Sequence, residues 1–373
     1  MGRVRGVSTR PELRAVRWIG LDGALIGGAL ALAAFVVFAN QALPPPPWPP
    51  AGVAVSRSDL ARDPLDPART RNLGLALDRA GASADAARVM LFAGGRGRRD
   101  TPTEDWLLVR SLSEGRYDAA FQVADALLRR DIPDDKREKL FALLVAAARY
   151  DASRPALGER LALSPWWRLA FMRELAAKAE PADARVVLAR LSTTANPPTD
   201  LELAPYLDRL VDLGAYRAAA ADWRAFARPR RDPDDVNDLT APAPFGWSPV
   251  FGGGASSGVD GGDLRVDYDG FATPRLPRRL IALAPGGYRL AWRERIDGDA
   301  RLVVEVRCAG SDTLLASARP VANAAYEPRT LDLDVPASGC EGQWLAIAPI
   351  AGERRSPVTG VFSRWTITAR PPR

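Results

Sequence analysis

The chain has 373 residues, 47% of them hydrophobic, which is enough for two or more domains with packed cores. Its net charge of +6 is modest, and acidic residues are interspersed among the arginines, so no basic stripe of the kind that binds nucleic acid is evident. The absence of histidine excludes serine–histidine and cysteine–histidine catalysis and every histidine metal site. The composition therefore favours a protein that is not an enzyme, needs no cofactor and does not bind nucleic acid.

The first predicted element is an apolar segment over residues 18–43. Its run from residue 18 to residue 39 contains one charge, Asp22, and about 20 apolar residues are enough for a helix to span a bilayer. Residues 1–17 carry five arginines and one acidic residue, and the positive-inside rule places such a tail in the cytoplasm. We predict a single-pass helix of a bacterial inner membrane, with the amino terminus cytoplasmic and the bulk of the chain periplasmic.

Two questions about this segment stay open. A cleaved signal peptide ending at Ala39 would send the same residues across the membrane. Gly23 and Gly27 form a GxxxG pair, which lets two helices approach closely, so homodimerisation is undecided. Residues 44–54 follow as a predicted proline-rich spacer, because polyproline segments are stiff and extended.

Residues 55–227 form a predicted helical domain, because apolar residues recur at every third or fourth position. A period of 34 residues relates Gly81 to Gly115 and Ala86 to Ala120. We expect each glycine to end a helix and each alanine to let the following helix pack closely.

A Gly-x-Tyr-x-x-Ala motif occurs at residues 115–120 and again at residues 214–219. Together with the period, it resembles the tetratricopeptide repeat. That resemblance implies an α-solenoid whose concave face binds a protein partner. Trp166 and Trp167 are the candidate partner-binding residues, since two neighbours on one helix point in different directions and tryptophan is enriched in binding hot spots.

From residue 244 to residue 373 the apolar period changes to two, after a charged and proline-rich linker over residues 228–243. The pattern predicts an antiparallel jelly-roll sandwich. The whole chain is thus expected to be multidomain, with a transmembrane helix, an all-α tetratricopeptide-like solenoid and an all-β sandwich. The strands are predicted at residues 264–269, 278–284, 287–294, 301–308, 314–318, 329–335, 343–349 and 361–368.

The only two cysteines, Cys308 and Cys340, lie at the end of one predicted strand and before another. Beyond a membrane the environment is oxidising, so we predict a disulfide between them.

The strand region resembles the galactose-binding-type jelly rolls of carbohydrate-binding modules, on Pro244-Phe-Gly-Trp247 and on the Leu-Ala-Pro-Gly-Gly-Tyr stretch from residue 283. That resemblance implies sugar binding by stacked rings and polar hydrogen bonds. For each ring, the alternative is packing in the core. The candidate glycan-binding residues are Trp247, Tyr268 and Trp344, and the further rings are Trp292, Tyr326 and Trp365.

Four aspartates near the start of this region suggest two other kinds of site. Asp260 and Asp263 are candidate ligands for a structural calcium ion, with a solvated turn as the alternative. Asp267 and Asp269 lie on one strand face and are the carboxylate pair to test for glycan hydrolysis.

Three functions follow from this organisation. The first is a non-enzymatic envelope scaffold that binds protein partners through the helical repeats and a glycan or an assembly component through the sandwich, in polysaccharide synthesis or export. The second is a carbohydrate-binding protein that retains glycan at the membrane. The third is a carboxylate-dependent glycan hydrolase.

Overall fold

The computed structural model describes residues 52–96, 100–272, 274 and 277–371, which form eleven α-helices followed by ten β-strands. The chain divides into two compact units, one extending to Leu127 and the other beginning at Leu128. The helices are α1 (Val53–Arg62), α2 (Pro67–Arg79), α3 (Ser83–Arg96), α4 (Thr101–Ser113), α5 (Tyr117–Leu128), α6 (Asp134–Ala148), α7 (Arg154–Ala162), α8 (Arg168–Lys178), α9 (Pro181–Leu191), α10 (Asp200–Asp212) and α11 (Tyr216–Phe226). The strands are β1 (Phe251–Gly252), β2 (Ala255–Asp260), β3 (Asp263–Tyr268), β4 (Arg278–Ile281), β5 (Gly286–Gly298), β6 (Leu302–Cys308), β7 (Leu314–Ala318), β8 (Asn323–Val335), β9 (Gln343–Pro349) and β10 (Val358–Ala369).

The structure corrects the prediction of a membrane-spanning protein. The predicted span, residues 18–43, lies outside the described residues, together with the basic tail and the glycine pair considered for homodimerisation. Across the described part of the chain, no helix is both long and apolar enough to cross a membrane. The longest helix there, α6, has 15 residues, or about 22 Å of helix, against a hydrocarbon core of about 30 Å. The single-pass fold class and the inner-membrane localisation are therefore not retained.

Side-chain caps determine where several helices begin. Asp66 accepts a hydrogen bond from the backbone N–H of Ala68 at 2.8 Å, and Pro67 occupies the first helical position of α2. Asp100 caps α4 in the same way. At α10 the Glu202 carboxylate reaches back to the backbone N–H of Thr199 at 2.8 Å, which is half of a capping box.

Three glycines end helices with one shared geometry. Gly81, Gly115 and Gly214 have φ angles of 77°, 68° and 74°, in the left-handed region that favours glycine. At each of them the following residue donates its N–H to the carbonyl five positions earlier, and the glycine donates to the carbonyl three positions earlier. The prediction that Gly81 and Gly115 end helices is confirmed, and Gly214 ends a helix in the same way.

Small residues bring the helices of each unit together. In the first unit α2 packs against α3 around Leu73, Leu77 and Ala86, and Ala86 is completely buried. In the second unit α6 contacts α7 and α8, while α8 packs against α10 and α10 against α11. The second unit thus packs consecutive helices (α6 with α7, α10 with α11) and also helices two places apart in the chain (α6 with α8, α8 with α10).

The strands form two antiparallel sheets. The six-stranded sheet has the order β1-β2-β3-β10-β5-β8, and the four-stranded sheet has the order β4-β9-β6-β7. Every second residue of β6 is buried, and one apolar cluster combines inward residues of both sheets, such as Val304, Ile347, Leu290 and Phe362. The sheets therefore enclose a common core, and the predicted antiparallel architecture is confirmed.

Residues 228–243 have no regular secondary structure, yet they pack against the sheets within the second unit. Val236 is 1% exposed and belongs with Leu239 to the core between the sheets. The fully buried guanidinium of Arg279, on β4, donates to three backbone carbonyls of this segment at 3.0–3.4 Å. Burial lowers the pKa of Arg279 to about 10, and the arginine fastens the segment to the edge of the four-stranded sheet.

Candidate functional site

The outer face of the six-stranded sheet carries mostly polar side chains. Along β5, Leu290, Trp292 and Ile296 are buried in the core, so the alternation of the strand sends Arg293 and Arg295 to the opposite face. The neighbouring strands β3 and β10 add further polar residues to this face. A polar floor four strands wide results, with the order β3-β10-β5-β8.

This face holds a cleft of about 610 Å³, here called the outer-face cleft. The floor comes from β3, β10 and β5, and the start of β8 forms one wall. The residues that matter for its chemistry are Arg265, Arg295, Asp297, Asn323, Ala324 and Thr359.

A tyrosine crosses the sheet beside the cleft. The hydroxyl of Tyr326, on β8, donates to a carboxylate oxygen of Asp263, on β3, at 2.5 Å. In a flat sheet these two strands would lie about 14 Å apart, because adjacent strands are about 4.8 Å apart. The hydrogen bond therefore requires the sheet to curve around this face, which makes the face concave. The bond to Asp263 also raises the pKa of Tyr326, so the hydroxyl remains a donor.

Some charged groups of the cleft are already paired. Arg265 makes two hydrogen bonds to Asp267, both of 2.9 Å, and Thr359 donates to the same carboxylate at 2.6 Å. The hydrogen bond from Arg265 lowers the pKa of Asp267, with a smaller contribution from Thr359. Asp267 is therefore a fixed anion whose charge Arg265 neutralises.

Other groups of the cleft keep their bonding capacity. The Arg295 guanidinium lies 5.4 Å from the centre of the Tyr326 ring and has no hydrogen-bond acceptor within the part of the chain that the structure describes. Asp297 likewise accepts no hydrogen bond from the side chain of any described residue. Asn323 accepts from the backbone N–H of Ile296 at 3.0 Å, while its amide nitrogen has no partner among the described residues. A charged donor, Arg295, and a charged acceptor, Asp297, thus remain available to a ligand, whereas the Asn323 amide nitrogen is buried beneath the cleft surface.

The predicted glycan-binding rings lie elsewhere. Trp247 and Tyr268 are 6% and 2% exposed, and the Trp247 ring packs 5.3 Å from that of Trp365 in the core. Both rings are thus held inside the sandwich, where a glycan does not reach them. Trp344 is half-buried in the four-stranded sheet, with the Arg278 guanidinium 4.1 Å from its ring centre. Of the six rings, only Tyr326 borders the outer-face cleft, while Trp292 is in the core with Trp365.

Of the two adjacent tryptophans in the helical part, one is buried and the other is exposed, as their spacing predicts. Trp167 is 1% exposed and packs against Phe141 and Phe171, with ring centres 6.4 and 6.2 Å away. Trp166 is 63% exposed, and so is Leu163 nearby in the chain. A role of Trp166 in binding a partner stays a prediction.

The aspartates proposed for a metal or for hydrolysis have other partners. Asp260 is exposed, Asp263 bonds to Tyr326, and within residues 52–96, 100–272, 274 and 277–371 no cluster of three or more possible ligands could hold a metal ion. Asp269 accepts the backbone N–H groups of residues 271 and 272 at 2.9 and 3.1 Å, which lower its pKa. A glycosidase needs one carboxyl with a raised pKa as its general acid, and neither Asp267 nor Asp269 supplies it.

The predicted disulfide is confirmed. Cys308, at the end of β6, is bonded to Cys340, and the two Cα atoms are 5.1 Å apart. Both cysteines are buried in the sandwich core. The bond ties the loop before β9 to the neighbouring strand β6.

No family model and no curated protein matches this chain. Solved structures that resemble part of it include a family 4 carbohydrate-binding module, 13% identical over 31% of this chain and 75% of its own, with a TM-score of 0.26. A family 16 carbohydrate-binding module is 13% identical, with 33% and 89% covered and a TM-score of 0.24. The amino-terminal cellulose-binding domain of Cellulomonas fimi β-1,4-glucanase C is 16% identical, with 35% and 93% covered and a TM-score of 0.25. Likeness at these scores identifies no ligand, and the tetratricopeptide assignment of the helices is not confirmed.

Most residues of the cleft were missed at the level of the sequence. The candidate glycan-binding residues predicted from the sequence are all aromatic, and most aromatic side chains of this part fill the core. The polar lining residues are therefore not among them, namely Arg265, Arg295, Asp297, Asn323 and Thr359. The signal was present in β5, where apolar residues alternate with arginines and place several charges on one face. The wall formed by the start of β8, where that strand departs from its register with β5, carries no comparable signal.

Proposed function

We propose that the chain binds a glycan in the outer-face cleft. The observation that carries this proposal is that Arg295 and Asp297 line one open cleft with hydrogen-bonding capacity that no described residue uses. Sugar hydroxyls both donate and accept hydrogen bonds, so they match a cleft that offers donors and an acceptor together. Carbohydrate binding is also what the names of the similar modules state for those proteins.

The shape of the cleft suits such a ligand. Its volume of about 610 Å³ lies within the usual range of ligand sites, roughly 300–1,000 Å³. Tyr326 adds a ring at the border, and aromatic rings supply apolar surface to the C–H faces of sugars. A concave sheet surface contacts more of an elongated ligand than a flat sheet surface would.

A blocking substitution tests the proposal. Ala324 is exposed and lines the cleft, so Ala324→Trp fills the cleft without entering the core. The matched control is Thr330→Trp, on the same strand and also exposed, but outside the cleft. The full chain and both variants are run through native gels that each contain one neutral or acidic polysaccharide.

We expect at least one polysaccharide to retard the wild-type chain and the Thr330→Trp variant, and the Ala324→Trp variant to migrate freely. Equal retardation of both variants would place glycan binding outside the cleft. Free migration of the wild-type chain in every gel would remove the glycan-binding function itself.

An exposed tryptophan supports a second function, for the helical part. We propose that Trp166 and Leu163, both 63% exposed, contact a protein partner, because exposed tryptophan is typical of interface hot spots. The protein is then a non-enzymatic scaffold that joins a glycan to a protein partner, as polysaccharide synthesis or export requires. The tetratricopeptide-like interpretation of the helices belongs to this proposal.

Site-specific photocrosslinking tests the second function. A photoreactive amino acid replaces Trp166 in one variant and Leu213, which is 52% exposed, in the control. We expect a discrete crosslinked product from position 166 and none from position 213. Identical products from both positions would show nonspecific contact and contradict the proposal.

A further inference from the structure

The cleft contains one guanidinium that is both positioned and unoccupied. Arg295 is held beside the Tyr326 ring, at 5.4 Å from its centre, and cation–π contact restricts where the guanidinium lies. Tyr326 is itself fixed by its bond to Asp263. Arg295 therefore lines the cleft with its N–H donors bonded to no acceptor among the described residues.

No acidic side chain of the described residues forms an ion pair with Arg295. Asp267 is paired with the Arg265 guanidinium, whereas Asp263 keeps its negative charge, because the Tyr326 hydroxyl that donates to it is neutral. Asp297, on the same strand and about 7 Å from Arg295 along β5, is a negative charge that no described side chain pairs. No hydrogen bond or ion pair joins Arg295 to Asp297, and the Arg295 guanidinium lies beside the Tyr326 ring.

We propose that Arg295 selects a glycan that carries carboxylate groups, so that the ligand is a polymer of uronic acids. This inference rests on the proposed glycan-binding function and names the class of glycan. A guanidinium donates two parallel N–H bonds to a carboxylate, a geometry that no sugar hydroxyl reproduces. Asp297 accepts hydroxyl protons of the neighbouring sugar.

Comparing a uronic-acid polymer with its methyl ester isolates the contribution of the carboxylate charge to binding. Polygalacturonate and fully methyl-esterified polygalacturonate share a backbone, but only the first has charged carboxylates. The full chain is titrated with each polymer, and the same is done with Arg295→Gln. The matched control is Arg289→Gln, because Arg289 lies on the same strand, outside the cleft, and is bonded to Asp332 at 2.8 and 3.0 Å.

We expect the wild-type chain to bind the acid form about tenfold more tightly than the ester, in line with one bidentate pair. Arg295→Gln should lose this preference while still binding the ester, and Arg289→Gln should keep it. The preference should also shrink as sodium chloride is added, because salt screens exposed charges.

Three results would overturn the inference. Equal affinity of the wild-type chain for acid and ester would do so, as would a preference that survives in Arg295→Gln. Equally tight binding of dextran sulfate, unaffected by Arg295→Gln, would assign the preference to the net charge of +6. If neither uronic polymer binds but a neutral polysaccharide does, the uronic-acid inference fails and the glycan-binding function stands.

Discussion

The turn that presents Trp166 depends on one buried ion pair, which makes a quantitative prediction. Arg168, at the start of α8, bonds to the Glu202 carboxylate of α10 through Nε at 2.6 Å and through Nη2 at 2.8 Å. Its remaining donors reach three backbone carbonyls, those of Leu161, Asn196 and Pro197, at 3.1–3.3 Å. All five N–H groups of the guanidinium are thus satisfied.

The magnitude follows from burial. The Arg168 and Glu202 side chains are only 4% and 7% exposed, so removing one partner leaves the other as an unpaired charge in the interior. Breaking such a pair costs about 3–5 kcal/mol. We expect Arg168→Met and Glu202→Met each to lower the free energy of unfolding by about 4 kcal/mol.

The double variant tests whether pairing is the cause. Arg168→Met combined with Glu202→Met buries no charge, so we expect its loss to be about 4–5 kcal/mol and the coupling energy about 3 kcal/mol. The assay is urea unfolding followed by far-ultraviolet circular dichroism, with all four chains of the cycle measured together. Losses that simply add, to about 8 kcal/mol in the double variant, would refute the reasoning.

Three further predictions concern stability. Cys340→Ala removes the disulfide to Cys308, which joins two residues 32 positions apart in the chain. It should lower the free energy of unfolding by about 3–4 kcal/mol. Unfolding curves that overlap those of the oxidised wild type would contradict this prediction. Gly81→Ala should lower the free energy of unfolding by about 1 kcal/mol, because Gly81 has a φ of 77°. Gly95→Ala should raise it by up to about 1 kcal/mol, because Gly95 is exposed in α3 and no described atom is close to it. Melting temperatures that shift in the same direction in both variants would contradict this prediction. Glu294→Gln should lower the free energy of unfolding in urea by about 2 kcal/mol, because the buried side chain loses its charge-assisted hydrogen bonds. An unchanged urea midpoint would contradict this prediction.

The fold was predictable where a local rule dictates the structure. Gly81 and Gly115 end helices because a left-handed turn residue favours glycine, and that rule is visible in the sequence. Strand β6 was predictable because apolar residues occupy every second position from Leu302 to Cys308, and those positions are the buried ones. The hairpin of β1 and β2 was missed, since Phe-Gly-Gly-Gly-Ala has none of the β-branched residues that mark strands. The membrane assignment rested on the segment at residues 18–43, which lies outside the described residues.

The site was less predictable, because a ligand face depends on which side of a sheet is covered. Trp247 and Trp344 cannot be ranked from the sequence pattern alone, since a ring on either face of a strand has the same spacing. The structure buries Trp247 between the sheets and leaves Trp344 only half-buried. The outer-face cleft also needs sheet curvature and the register shift of β8, both of which arise from tertiary packing.

Glu294, a charged residue at an inward-facing position of β5, holds the wall of the cleft in place. Glu294 points into the core with its carboxylate fully buried, where it accepts hydrogen bonds from the Trp292 indole and the Arg329 guanidinium, each at 2.8 Å. The same carboxylate accepts the backbone N–H of Val321 at 3.3 Å, directly before the wall residues 322–324. Asn323 is held from the other side by the N–H of Ile296. A costly buried charge thus fixes the segment that forms the wall of the cleft, which joins the stability of the core to the geometry of the cleft.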